Sequence, residues 1–72
     1  MTNTAELLRA IDKSGFKKSY IANKIGLTSA SFRRKVTNKA EFKASEILGI
    51  CRLLGITDTK TKESIFFAAH VD

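Results

Sequence analysis

Apolar residues recur along this chain at the spacing of short amphipathic helices, and glycines interrupt the recurrence. The clearest case follows the i, i+3, i+4, i+7 pattern of a helix with one apolar face, and it consists of Ile47, Ile50, Cys51 and Leu54. The pattern predicts a helix over residues 44–54 that ends at Gly55. Inside it, Gly49 costs about 1 kcal/mol relative to alanine, a cost that close packing against a neighbouring backbone would justify.

The N-terminal part predicts a helix that begins near Thr4, with residues 1–3 frayed. Asn3 and Glu6 have the spacing of a capping box, in which each side chain accepts a hydrogen bond from the other residue's backbone N–H. The Ser-Gly pair at 14–15 ends this helix, and its apolar stripe consists of Leu7, Leu8 and Ile11. Phe16 follows and is expected to be a core anchor.

A central stretch, residues 18–37, predicts two short helices joined by a tight turn. It reads KSYIANKIGLTSASFRRKVT. Gly26 separates the two halves and tolerates the left-handed backbone that such a turn needs. Two apolar pairs are spaced i, i+4, so that each lies on one helix face: Ile21 with Ile25, and Phe32 with Val36. This pattern is typical of a helix-turn-helix, whose second helix can lie in the major groove of DNA.

The second of these helices, expected over residues 29–37, has a polar face suited to DNA. If Phe32 and Val36 are buried, the turn of about 100° per residue places on the far side Ala30, Arg33, Arg34 and Thr37, with Ser29 near the edge. Arginine can donate two hydrogen bonds to guanine, serine and threonine can meet bases or phosphates, and a methyl group can contact thymine. Thr28 is expected to cap the helix through its hydroxyl.

The C-terminal part predicts a last short helix over residues 59–64, capped by the Thr-Asp pair before it. Three large apolar residues then follow one another, namely Ile65, Phe66 and Phe67. They cannot all face one side of a helix, so we expect some of them to be exposed unless the tail packs flat or a partner covers it. Two interpretations stay open for the tail, residues 65–72: a subunit or partner surface, or filling of the chain's own core.

The basic charge of the chain is concentrated around the central stretch. The 72 residues, enough for one domain over 1–72, carry a formal net charge of +6. Residues 17–43 hold eight of the 13 Lys and Arg residues against a single acid, Glu41. Positive charge that coincides with a helix-turn-helix pattern favours a phosphate-backbone partner. Lys39 and Lys43 are expected to continue a phosphate-contacting strip beyond the second helix.

Other classes of function are disfavoured by what the composition lacks. Cys51 is the only cysteine and His70 the only histidine, so neither a disulfide framework nor a zinc site is expected. The chain contains no paired-carboxylate, nucleophile–base or glycine-rich phosphate pattern, which argues against an enzyme, a cofactor or a small-molecule ligand. It also has no apolar run near the roughly 20 residues of a membrane span and no signal-peptide pattern. We therefore expect a soluble intracellular protein.

The central stretch resembles the lambda-repressor-like family, the repressor and Cro-type regulators of phages and bacteria. The residues that carry the resemblance are Ala22, Gly26, Leu27 and Phe32. The resemblance implies a DNA-backbone contact for Lys18, which opens the first helix, and DNA contacts for Thr28, Ser29, Ala30, Arg33 and Arg34. One position departs from the family pattern, because Lys35 stands where a second apolar residue is usual. The second helix is therefore expected to be slightly rotated, and which arginine reads bases stays open.

Shorter segments extend the resemblance to small regulators of temperate phages. They read FKASEI at 42–47, LGIT at 54–57 and IFFA at 65–68. The resemblance implies a regulator of a lysis–lysogeny switch that binds operator double-stranded DNA, and such regulators commonly bind as homodimers. The alternative is an antirepressor, or modulator of repression, that binds the phage repressor protein directly and binds DNA weakly or only with that partner.

Overall fold

The computed structural model describes residues 1–68, which fold into an all-α bundle, as the apolar pattern predicts. Its five helices are α1 (Thr4–Ser14), α2 (Lys18–Lys24), α3 (Ser29–Val36), α4 (Ala44–Leu54) and α5 (Thr59–Phe66). α4 has its predicted bounds, α3 ends one residue early, and α5 runs two residues beyond the predicted end. The bundle measures 27 × 25 × 21 Å. Residues 69–72 of the predicted tail lie outside the described residues.

One apolar core joins all five helices. Leu7 of α1, Ile21 of α2 and Ile50 of α4 are its largest fully buried side chains. Phe42, in the segment between α3 and α4, connects the far sides of the core through edge-on aromatic contacts. Its ring lies 6.0 Å from Phe32 and 5.7 Å from Phe66, centroid to centroid. The predicted DNA-facing residues belong to α3. The core therefore holds this helix by its inner face.

The N-terminal segment is ordered, contrary to the fraying expected for residues 1–3. Thr2 is 5% exposed, and both its backbone groups are bonded by the Asn38 side chain, at 2.9 Å to Oδ1 and 2.8 Å from Nδ2. The Thr4 hydroxyl donates to the Val36 carbonyl at the end of α3, at 2.6 Å. The Asn3 N–H donates to the Ile65 carbonyl at 2.6 Å. These bonds tie the N-terminus to the end of α3 on one side and to α5 on the other.

The predicted capping box of α1 is half formed. The Asn3 side chain accepts from the Glu6 N–H at 3.2 Å, as predicted. The reciprocal bond is absent, because the Asn3 N–H is used by Ile65 and the Glu6 carboxylate pairs instead with Arg9 at 2.5 Å. The Asn3 N–H is thus bonded to a residue of α5 and not to the Glu6 side chain of its own helix.

Gly49 makes room for α2 to approach α4. A Cβ built at Gly49 would lie 2.9 Å from Cγ2 of Ile25, closer than such atoms approach one another. The close packing predicted at this glycine is therefore confirmed, but the predicted neighbour is wrong, because it is a side chain and not a backbone. Cys51 beside it is buried, and burial raises the pKa of its thiol while nearby Lys62 lowers it by less.

Phe16 lies elsewhere than expected, and the C-terminal trio Ile65, Phe66 and Phe67 is divided between core and surface. Phe16 is 39% exposed and stacks on Tyr20, so the prediction of a core anchor is wrong. Ile65 and Phe66 are each 3% exposed and belong to the core, so of the two interpretations of the tail, core filling is the one confirmed for them, and they form no partner surface. Phe67 is 57% exposed, which leaves it as the one member of that trio on the surface. The last turn of α5 thus fills the core with two of the three residues.

Over residues 1–68, no helix combines the length and the apolar character that crossing a membrane requires.

Candidate nucleic-acid interface

α2 and α3 are joined by a short turn that two backbone hydrogen bonds close. The Gly26 N–H donates to the Asn23 carbonyl at 3.1 Å, and the Leu27 N–H donates to the Ala22 carbonyl at 2.9 Å. This pair of bonds is a Schellman motif, which requires a left-handed residue, and Gly26 has φ of 80°. The predicted turn is therefore confirmed in its detail. It fixes the angle at which α3 leaves α2.

α3 has the two faces predicted for it. Phe32 and Val36 are 2% and 5% exposed and pack in the core. The predicted contact residues lie on the solvent side, namely Ser29, Ala30, Arg33, Arg34 and Thr37. Because the helix is anchored by its inner face and by Phe42, its outer side chains project from a rigid element.

A surface groove brings six of the eight predicted DNA-binding residues together. It has a volume of about 630 Å³ and runs along α3, with Lys18 of α2 at its edge and Leu8 of α1 in its wall. The other predicted residues that line it are Ser29, Ala30, Arg33, Arg34 and Thr37. Lys18 is thus placed beside α3 by the fold, although it lies 11 or more positions before it in the sequence. We call this feature the α3 groove.

The two predicted residues outside the α3 groove lie at the ends of α3. Thr28 caps the helix, since its Oγ1 accepts from the Ser31 N–H at 3.1 Å, as predicted. Its hydroxyl hydrogen remains available to a ligand oxygen. Lys39 follows the helix in a loop turned by Asn38, whose φ of 66° is the left-handed conformation. The exposed Lys39 ammonium extends the basic surface past the end of α3.

Thr37 can serve only as an acceptor while α3 is intact. Its hydroxyl donates to the Arg33 carbonyl at 2.8 Å, with a longer contact of 3.4 Å to the Arg34 carbonyl. A phosphate oxygen needs a donor, so it gains nothing from this hydroxyl. The amino group of adenine or cytosine is a donor and matches the free lone pair.

Lys35, which departs from the family pattern, forms an ion pair within the protein. Its Nζ lies 2.7 Å from Oε1 of Glu46, and the two side chains are only 13% and 8% exposed. The same Oε1 accepts from the Lys43 N–H at 2.8 Å, at the start of α4. Burial by itself would raise the pKa of Glu46, but these hydrogen bonds and the charges of Lys35 and Lys43 outweigh it and lower that pKa. Val36, the next residue, is 5% exposed and packs in the apolar core.

The remaining cations of the α3 groove are not neutralised within the described chain. Over residues 1–68 the ion pairs are Arg9 with Glu6 and Lys35 with Glu46, and neither involves Lys18, Arg33 or Arg34. No aspartate or glutamate of that range lines the groove. Its positive potential is therefore directed outward, toward whatever binds there.

Sequence reasoning did not assign two residues of this region, Glu46 and Leu8, to the site. In the sequence, Glu46 resembles any acidic residue in the first turn of a helix, and no local pattern links it to Lys35. Leu8 was assigned to the apolar stripe of α1 and is instead 37% exposed. Adjacent residues point about 100° apart on a helix, so Leu7 and Leu8 cannot share one inward position. That Leu7, at 0% exposure, is the inward one is decided by the packing and not by the sequence.

Comparisons of this chain with family models, with curated proteins and with solved structures give no match. The membership in the lambda-repressor-like family that the central stretch predicts therefore stays a prediction.

Proposed function

We propose that this chain is a sequence-specific DNA-binding regulator of transcription that places α3 in the major groove of an operator. One observation carries the proposal. The outer face of α3 presents Arg33 and Arg34, with Lys18 from a second helix in the same groove and no acid among the described residues, 1–68, that line it. An α-helix of about 10–12 Å diameter fits a major groove about 12 Å wide.

Each exposed residue has a role that its chemistry permits. Arg33 or Arg34 donates two hydrogen bonds to guanine O6 and N7, and the other arginine then lies beside phosphate. Lys18 and Lys39, at the two ends of the site, bind phosphate and set the position of the helix on the duplex. The Ala30 methyl contacts thymine, and the Thr28 and Ser29 hydroxyls donate to backbone or base oxygens.

The regulatory setting of the proposal is a lysis–lysogeny switch of a temperate phage, in the cytoplasm of the bacterial host. It rests on the resemblance of the segments at 42–47, 54–57 and 65–68. A homodimer on two half-sites about 34 Å apart is the assembly that this setting favours. Phe67 is the member of the predicted partner surface available for such a contact, since it is exposed.

The decisive experiment measures binding to the DNA upstream of the protein's own gene by fluorescence anisotropy over a range of salt concentrations. Specific binding with a steep salt dependence is expected, because each phosphate neutralised contributes about 0.9 to the slope of log K against log salt. Arg33→Ala and Arg34→Ala should each weaken it at least about tenfold, a loss of about 1.4 kcal/mol. Arg52→Ala removes an exposed arginine of α4 and is the matched control. Unchanged DNA affinity in both α3 variants would refute the proposal.

The second candidate function is an antirepressor that binds the phage repressor protein through the same face. The partly exposed Leu8 in the wall of the α3 groove favours it, because an aliphatic side chain gains nothing from phosphate. Adding the chain to a repressor–operator complex distinguishes the two functions. An antirepressor releases the repressor from DNA without itself binding the operator, whereas an operator reader competes only when its own DNA affinity suffices.

A further inference from the structure

The α3 groove has a chemistry that a DNA duplex matches only in part. Its cations and hydroxyls suit phosphate and base edges. Its lining is nevertheless mainly apolar, since it includes Leu8 and Ala30 together with the small exposed parts of Phe32 and Val36. Leu8 comes from α1, outside the α2–α3 unit. A DNA duplex would leave most of this apolar lining uncovered. Its phosphates are charged, and the thymine methyl is the only apolar group on the base edges of the major groove.

We infer that the α3 groove also binds an acidic amphipathic helix of a partner protein, with the apolar face of that helix against Leu8 and its carboxylates on Lys18, Arg33 and Arg34. An apolar groove that takes the anchors of an amphipathic helix is a recurrent mode of recognition. The volume of about 630 Å³ is that of a site able to take several side chains at once.

Charge complementarity selects an acidic helix over a neutral or basic one. The rim carries three exposed cations, none of them in an ion pair within residues 1–68. No carboxylate of that range lines the groove. Burial of cations without a counter-charge would cost free energy on binding, so the bound helix must supply the carboxylates.

The inference identifies a means of regulation, and that part of it rests on the proposed DNA binding. Arg33 and Arg34 line the same groove and cannot hold carboxylates and a DNA duplex together. The partner helix and the operator therefore exclude each other. Binding of the helix by itself does not depend on DNA, so the two proposals fail separately.

The test uses a synthetic helical peptide with leucines at i, i+3, i+4 and i+7 and glutamates on the flanking positions. A peptide of the same composition, with its leucines spread around the helix, is the control ligand. Leu8→Gln is the test variant and Leu48→Gln the matched control, since Leu48 on α4 is 49% exposed and lies outside the groove. We expect Leu8→Gln to weaken the designed peptide about tenfold and Leu48→Gln to leave its affinity unchanged.

The outcomes are separable. Equal binding of the designed and the permuted peptide would mean that only charge is recognised and would overturn the inference, as would equal loss in Leu8→Gln and Leu48→Gln. A ternary complex with DNA would overturn the exclusion. NMR shifts in the wild-type chain give an independent readout, with changes expected at the Leu8 and Ala30 methyl groups and none at Leu48. Peptide binding by a chain that fails to bind DNA would leave this inference standing and remove the proposed DNA-binding function.

Discussion

Lys35 and Glu46 form an ion pair with Nζ 2.7 Å from Oε1, and this pair joins α3 to the first turn of α4. The carboxylate has a second task, because it accepts the Lys43 N–H and so caps α4. One nearly buried acid thus positions the helix proposed to bind DNA and stabilises the start of its neighbour. Lys35 contributes to the structure of the protein, whereas Arg33 and Arg34 beside it face solvent.

Replacement of Glu46 by glutamine should destabilise the fold strongly. The change leaves the nearly buried Lys35 ammonium without a counter-charge. Removing one partner of a buried ion pair lowers the free energy of unfolding by about 3 kcal/mol. Urea unfolding followed by circular dichroism measures the loss. Glu41→Gln, which removes an exposed acid from the adjoining loop, is the control and should lie within about 0.5 kcal/mol of the wild type. Equal stability of the two variants would show that the ion pair contributes nothing.

The same pair predicts how stability changes in acid. The folded protein holds the pKa of Glu46 below its ordinary value of 4.5, so the unfolded chain binds a proton first as the pH falls. The stabilisation is therefore fully present above pH 4.5 and is lost as the pH drops through the lower folded-state pKa. Asp58 has a lowered pKa, from hydrogen bonds with Thr61, and acts in the same direction. The difference between wild type and Glu46→Gln in free energy of unfolding, measured from pH 6 downward, isolates Glu46 and should shrink below pH 4.5.

The bonds between Asn38 and Thr2 predict that residue 38 supports the fold in two ways. Asn38→Gly keeps the left-handed backbone but removes both hydrogen bonds to Thr2, for an expected loss of about 2 kcal/mol. Asn38→Ala should lose about 1 kcal/mol more, because alanine resists the φ of 66°. Chemical denaturation measures both losses. Hydrogen exchange at the Thr2 amide should accelerate in both variants, and an unchanged exchange rate would contradict the assigned role.

Gly49→Ala should destabilise the protein even though alanine favours helices. The added Cβ would meet Cγ2 of Ile25 at 2.9 Å, and a β-branched side chain has little freedom to move away. Overpacking of this kind costs about 1–3 kcal/mol, more than the gain of about 1 kcal/mol in helix propensity. A double-mutant cycle with Ile25→Ala provides the check, since the two losses should add to more than the double variant shows. Strict additivity would mean that the clash is relieved elsewhere.

Aspartate substitutions at two adjacent phenylalanines should have opposite consequences. Phe66 is 3% exposed and contacts Phe42, so Phe66→Asp buries a carboxylate and should leave the chain unfolded. Phe67 is 57% exposed, so Phe67→Asp should fold with nearly unchanged stability. Circular dichroism tests both, and light scattering of Phe67→Asp tests the proposed homodimer. A wild-type dimer that persists in this variant would remove Phe67 from the interface.

The sequence by itself determined the five helices and most of their caps and faces. Thr28 could be identified as a cap and Phe32 as a buried residue because both properties depend on residues within four positions along the chain. The turn at Gly26 was equally accessible, since a left-handed position between two apolar repeats favours glycine. Arg33 and Arg34 could be placed on the outer face for the same reason, so the predicted DNA-facing surface was largely derived from helical periodicity.

Tertiary structure alone decided the relationships between distant residues. Lys35 and Glu46 are 11 positions apart, and Thr2 and Asn38 are 36 apart, so no local pattern records either contact. The same holds for the position of Leu8 beside the α3 groove. It also holds for Phe66, which packs against Phe42 in the core, and for Phe16, which lies at the surface. Periodicity states which side of a helix is apolar. Which apolar residues are buried, and which charge is neutralised, depends on how the five helices pack against one another.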